Sequence, residues 1–62
     1  MTNEEAKNAF LSGVAVKCKG IRYKCISAII YRKDKNGNVL VSAEMIEAHS
    51  VTIALTKDIE VA

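Results

Sequence analysis

The stretch Ile26–Met45, ISAIIYRKDKNGNVLVSAEM, decides the fold. Residues 26–31 are β-branched, small or aromatic, the composition of a strand. RKDKNGN follows, and its Asn36-Gly37 pair supplies residues that tolerate positive φ, the mark of a hairpin turn. Beyond it Val39, Val41, Ala43 and Met45 alternate with Leu40, Ser42, Glu44 and Ile46, the period-2 pattern of a half-buried strand. The stretch therefore reads as two long antiparallel strands joined by a turn.

Working outward, the same period recurs on both sides. Val14, Val16 and Cys18 alternate with Ala15, Lys17 and Lys19 until Gly20 interrupts them. Ile21, Tyr23 and Cys25 then alternate with Arg22 and Lys24. After a turn at EAHS, Val51, Ile53 and Leu55 alternate with Thr52 and Ala54; TKD makes a tight corner, and Ile59 and Val61 close the chain. Only the first residues depart from this period. Ala6, Ala9 and Phe10 share one helical face. Thr2 and Glu5 have capping-box spacing, and Gly13 suits a left-handed C-terminal cap.

These signals predict a mostly β protein of one small domain, residues 1–62. A short N-terminal helix over about 2–12 precedes strands over about 14–18, 21–32, 38–47, 50–55 and 59–61. A corner before a last stub of strand lets that stub pair with the first strand, so the expected architecture is a five-stranded SH3-like barrel, whose closure removes exposed edges. Strict alternation puts Val14, Val16, Tyr23, Ile30, Val39, Val41, Val51, Ile53 and Ile59 in its core. It sends Ile29, Tyr31, Leu40 and Ile46 outward as a possible interface.

Composition limits the function. Half of the 62 residues are hydrophobic, enough for a packed core, yet a chain this short buries only ~60% of its unfolded surface. Oligomerisation is one common remedy. No apolar run approaches the ~18 residues of a membrane span. The start MTNEEAKNAF is acidic and polar, unlike a secretory signal, so the expected setting is the cytoplasm. The net charge is +2, but it is unevenly spread. Lys17, Lys19, Arg22, Lys24, Arg32, Lys33 and Lys35 are concentrated between Gly13 and Gly37, with Asp34 as the one acid there.

The chemistry of a catalytic or metal site is not expected. Cys18-x₆-Cys25 is not the paired-cysteine spacing of structural zinc, and His49 is the one histidine. Both cysteines continue an inward-facing phase and read as small, reduced apolar side chains; a hairpin disulfide is the alternative, suited to an oxidising compartment. His49 falls in a turn beside Ser50, and Glu44 and Glu47 are not two apart, so on a regular strand they point to opposite faces. No cofactor and no small-molecule substrate is indicated. Two readings remain. In one, the domain binds a protein partner or itself, as a non-enzymatic assembly module. In the other, Lys17, Lys19, Arg22, Lys24, Arg32 and Lys33 bind an anionic partner such as nucleic acid, with Tyr23 or Tyr31 stacking on bases.

Two resemblances add to this. The layout of a helix, a first strand ending at Gly20, two long strands and a short corner weakly resembles the Sm-like RNA-binding fold. The aspartate and asparagine of the first Sm motif have no counterpart here, and TKDIEVA stands where the second motif would carry its basic residue and glycine. Gly20-Ile21, Tyr23, Ile26-Ser27-Ala28, Ile30-Tyr31-Arg32, Val41-Ser42-Ala43-Glu44 and Ser50-Val51 resemble small uncharacterised proteins of phages and integrated elements in Gram-positive bacteria. That resemblance implies a mobile-element accessory protein.

Overall fold

The computed structural model describes residues 1–62. Its elements are α1 (Asn3–Ser12), β1 (Val16–Cys18), β2 (Ile21–Tyr23), β3 (Cys25–Lys33), β4 (Val39–Ile46), β5 (Val51–Leu55), a 3₁₀ turn (Thr56–Asp58) and β6 (Ile59–Val61). Six strands, not five, form two antiparallel three-stranded sheets ordered β2-β1-β6 and β3-β4-β5. The expected closed barrel is not formed. The run expected as one strand over 21–32 breaks at Lys24. Residues before the break pair with β1 and residues after it pair with β4. At the junction the Lys24 N–H donates to the Ile46 carbonyl at 2.8 Å. At the other end the 3₁₀ turn carries the chain from β5 in one sheet to β6 in the other, and no ladder joins those two strands.

The helix begins as its capping box requires. The Glu5 N–H donates to Thr2 Oγ1 at 3.1 Å, and the Thr2 N–H donates to Glu5 Oε1 at 2.7 Å. The Thr2 backbone N–H first, and the Thr2 side chain next, hold the Glu5 carboxyl below its ordinary pKa. The Gly13 N–H caps the other end on the Ala9 carbonyl at 3.0 Å. Ala6 and Ala9 are the helix's buried residues; Phe10, expected beside them, is 39% exposed. Two methyl-sized side chains let α1 lie close on β3 and the 3₁₀ turn. The Met1 ammonium donates to the carbonyls of Thr56 (3.0 Å) and Ile59 (2.6 Å), and Thr56 Oγ1 donates to Asn3 Oδ1 at 2.9 Å.

Each hairpin has its own turn chemistry. β1 and β2 are joined by Lys19-Gly20, with φ of 52° and 79°. Two successive left-handed residues are what a two-residue type I′ turn demands, so a lysine occupies a conformation that glycine or asparagine adopts more readily. In the β3–β4 turn, Asp34 accepts from the backbone N–H groups of Asn36 (2.8 Å) and Asn38 (2.9 Å) and from Asn38 Nδ2 (3.4 Å). The Asn38 backbone bond is the main reason that the Asp34 carboxyl titrates below its ordinary range.

The core gathers Ala9, Val16, Cys18, Tyr23, Ile26, Ala43, Met45 and Ile59, with Met1, Ile29 and Ala54 packed against it. Val16, Tyr23 and Ile59 were expected there. Val14, Val39, Val51 and Ile53 were also expected there but are exposed, and Ile30 and Val41 are half-buried. Register explains the two β5 residues. Met45 pairs with Thr52 and Ala43 with Ala54, and cross-strand partners share a face. The core face of β5 therefore carries Thr52 and Ala54, while Val51 (60% exposed) and Ile53 (51% exposed) point the other way.

Candidate functional site

β3 contains one residue more than β4 opposite it. Ile26 pairs with Met45 and Ala28 with Glu44, leaving Ser27 unpaired as a β-bulge. A bulge shifts the alternation by one, so Ile26 and Ile29 both face the core although they are three apart. Ile30, expected inside, turns to the opposite face. Cys25, also expected inward, pairs with Ile46 and lies on that opposite face too.

That second face is the most distinctive surface of the molecule. Four cross-strand rows cross it: Arg32–Leu40, then Ile30–Ser42–Leu55, then Ala28–Glu44–Ile53, then Cys25–Ile46–Val51. Eight of these eleven side chains are apolar. The core residues of α1 and of the β2-β1-β6 sheet gather with Ala43 and Met45 on the other side. On the open side Leu40, Val51 and Ile53 remain exposed, Cys25, Ala28, Ile30, Ile46 and Leu55 are half-buried among their neighbours, and Ser42 between Ile30 and Leu55 is buried. Glu44 is the one acid on the face, held by Ser27 Oγ, which donates to Glu44 Oε1 at 2.6 Å.

The four residues expected as an interface are thus divided between two faces. Leu40 and Ile46 belong to the open face. Ile29 packs against the core, and Tyr31, paired with Val41, stands exposed at the outer end of the core-side face. Alternation alone missed Cys25, Ala28, Ile30, Val51, Ile53 and Leu55. The available signal was the crowding of apolar residues on both phases of β3 and β5, which marks a sheet with two apolar faces.

The basic residues form two groups rather than one. Lys17 and Arg22 face each other across β1 and β2, with Lys19 in the turn between the strands and Lys24 just past them. Acids interleave with this group. Lys17 Nζ lies 3.7 Å from Glu60 Oε1, and Glu47 shares an open depression with Ala15, Arg22, Tyr23 and Lys24. Arg32 and Lys33 stand at the far end of β3, roughly 25 Å from Lys24 at strand rise. Tyr23 is buried, so its ring offers no stacking face; Tyr31 does.

Cys18 and Cys25 are both free thiols, the first buried and the second half-buried. No three His, Cys, Asp or Glu residues come together as a metal site. The hydroxyl of Ser50 donates to Glu47 Oε1 at 2.6 Å. No helix is long and apolar enough to cross a membrane. Compared with protein-family models, curated proteins and solved structures, the chain matches none.

Proposed function

We propose that this chain is a non-enzymatic binding or assembly module that works through the open face of its β3-β4-β5 sheet. One observation carries the reading: eight apolar side chains share the sheet face that lies opposite the core cluster. The largest apolar patch on a typical single chain is ~300–600 Å² and is often functional. The non-enzymatic part is supported by Ser50, whose hydroxyl is engaged with Glu47 rather than His49. The proposed setting, a cytoplasmic accessory protein of a phage or integrated element, follows the resemblance of its strand motifs.

A photoreactive benzoylphenylalanine tests the docking face. Placed at Val51 it should give adducts in cells that carry the protein; placed at Lys7, on the exposed side of α1, it should not. Equal adducts at both positions, or none at Val51, would overturn the reading.

The second reading is binding of nucleic acid by Lys17, Lys19, Arg22 and Lys24, gathered on one hairpin. Glu60 and Glu47 beside them weaken the positive field. This reading expects affinity for a single-stranded homopolymer that falls linearly with the logarithm of salt concentration. The pair of changes Lys17→Glu and Lys24→Glu should abolish it; an unchanged affinity removes the reading.

A further inference from the structure

We infer that the occupant of the open face is a second copy of this chain, packed face to face about a two-fold axis; the inference rests on reading that face as a docking surface. The face is complementary to itself. Let the axis lie in the interface, perpendicular to the strands, between the rows Ile30–Ser42–Leu55 and Ala28–Glu44–Ile53. The rotation then lays each strand over its own counterpart and exchanges the two rows. Ile30 stands over Ala28, Leu55 over Ile53, and Ser42 over Glu44. Ile30 meets the small Ala28, and Leu55 meets Ile53 as one apolar side chain on another. The one carboxylate of the face meets a hydroxyl that can donate to it.

Moving the axis onto the Glu44 row would bring two carboxylates together, which is repulsive on an apolar face. Polar matching therefore fixes the register. The outer rows follow it: Leu40 lies over Ile46, and Arg32 reaches the rim beside Cys25. Such a contact is isologous, each copy giving and receiving the same patch, and it closes at two.

Size supports this occupant. Strands ~4.8 Å apart and rows ~6.7 Å apart give a patch on the order of 400 Å² in projection. The corrugation of its side chains brings it toward the ~600 Å² per partner at which specific interfaces begin. The chain also has reason to need it, since only 11 of its 62 residues are buried. A second copy would cover the sheet's other face and make one continuous core of two small ones.

Sedimentation velocity from about 1 µM to about 500 µM, the range in which an interface of this size associates, tests the proposal. The wild-type chain should rise from the mass of one chain to that of two. Ile53→Lys, at an exposed position of the face, should stay at one chain throughout with an unchanged circular dichroism spectrum. Leu11→Lys, exposed on α1, should behave as wild type. A wild-type chain that remains single across the range overturns the inference, as does a dimer dissolved by Leu11→Lys and not by Ile53→Lys. If the chain stays single while the Val51 probe still forms adducts with another protein, this inference falls and the docking reading stands. If neither is seen, both fall.

Discussion

Ser27 Oγ donates to Glu44 Oε1 at 2.6 Å and also reaches the Glu44 carbonyl at 3.3 Å, across the two strands where β3 bulges. The residue that breaks the ladder is thus also the residue that anchors the open face's one carboxylate. Bulge and charge are held by the same side chain.

Ser27→Ala should therefore destabilise the fold by about 1–2 kcal/mol, the cost of removing the donor to a partly buried charged acceptor. Urea denaturation should show a lower midpoint with an unchanged slope. Glu44→Gln retains an acceptor for Ser27 and should cost less than Ser27→Ala. The reverse order would mean that the bond does not pin the bulge.

The two faces of the sheet predict opposite responses to truncation. Met45 is fully buried, and Met45→Ala should cost about 2–4 kcal/mol in lost burial and cavity. Ile53→Ala, measured where the chain is single, should cost less than about 1 kcal/mol. Strict alternation from the sequence reverses nothing at Met45 but expects Ile53 to be as costly, so the pair separates the two assignments.

The capping box of Thr2 and Glu5, the Asn36-Gly37 turn, the meander of three strands and the corner at TKD are local signals, and each stands where it was expected. The faces were harder. Alternation is a strict period of two, and a single unpaired residue inverts everything beyond it. Nothing in ISAII says that Ser27 is the extra one. In β5 the larger residues, Val51, Ile53 and Leu55, read as core, yet turn geometry and pairing with β4 set the phase. The Glu47 N–H donates to the Ser50 carbonyl at 3.0 Å, and that tight turn aligns Ile46 with Val51. The same inversion hid most of the open face, because its residues were counted as core. Grouping the basic residues by sequence also joined Lys24, just before β3, to Arg32 near its far end.

At the β1–β2 turn, Lys19→Asn should stabilise the protein by about 0.5–1 kcal/mol, because asparagine accepts the left-handed conformation more readily. Gly20→Ala, at φ 79°, should destabilise it by about 1–2 kcal/mol. Thermal melts of the two variants check both signs. A neutral Gly20→Ala would contradict the turn type.

Glu5 and Asp34 should hold their charge to lower pH than ordinary carboxyls. Both carboxyls titrate below their ordinary range when folded, because backbone N–H groups of Thr2 and Asn38 respectively bond their charged forms. The unfolded chain then binds these protons more tightly. The stability they contribute is present above the ordinary carboxyl range and is lost as the pH falls through their folded-state values. Carbonyl NMR titration should show both midpoints displaced downward from those of unfolded peptides. Thr2→Ala should raise the midpoint of Glu5 and leave that of Asp34 in place; no movement of Glu5 would remove the Thr2 side chain as a contributor.

The most direct test of the two-faced sheet is hydroxyl-radical footprinting of the wild-type chain, diluted until it is single. The account predicts that Val51, Ile53 and Leu40 are modified readily, while Met45, despite the high intrinsic reactivity of methionine, is protected relative to Met1. Rapid oxidation of Met45 with protection of Val51 and Ile53 would place the core on the other side of the sheet and contradict it.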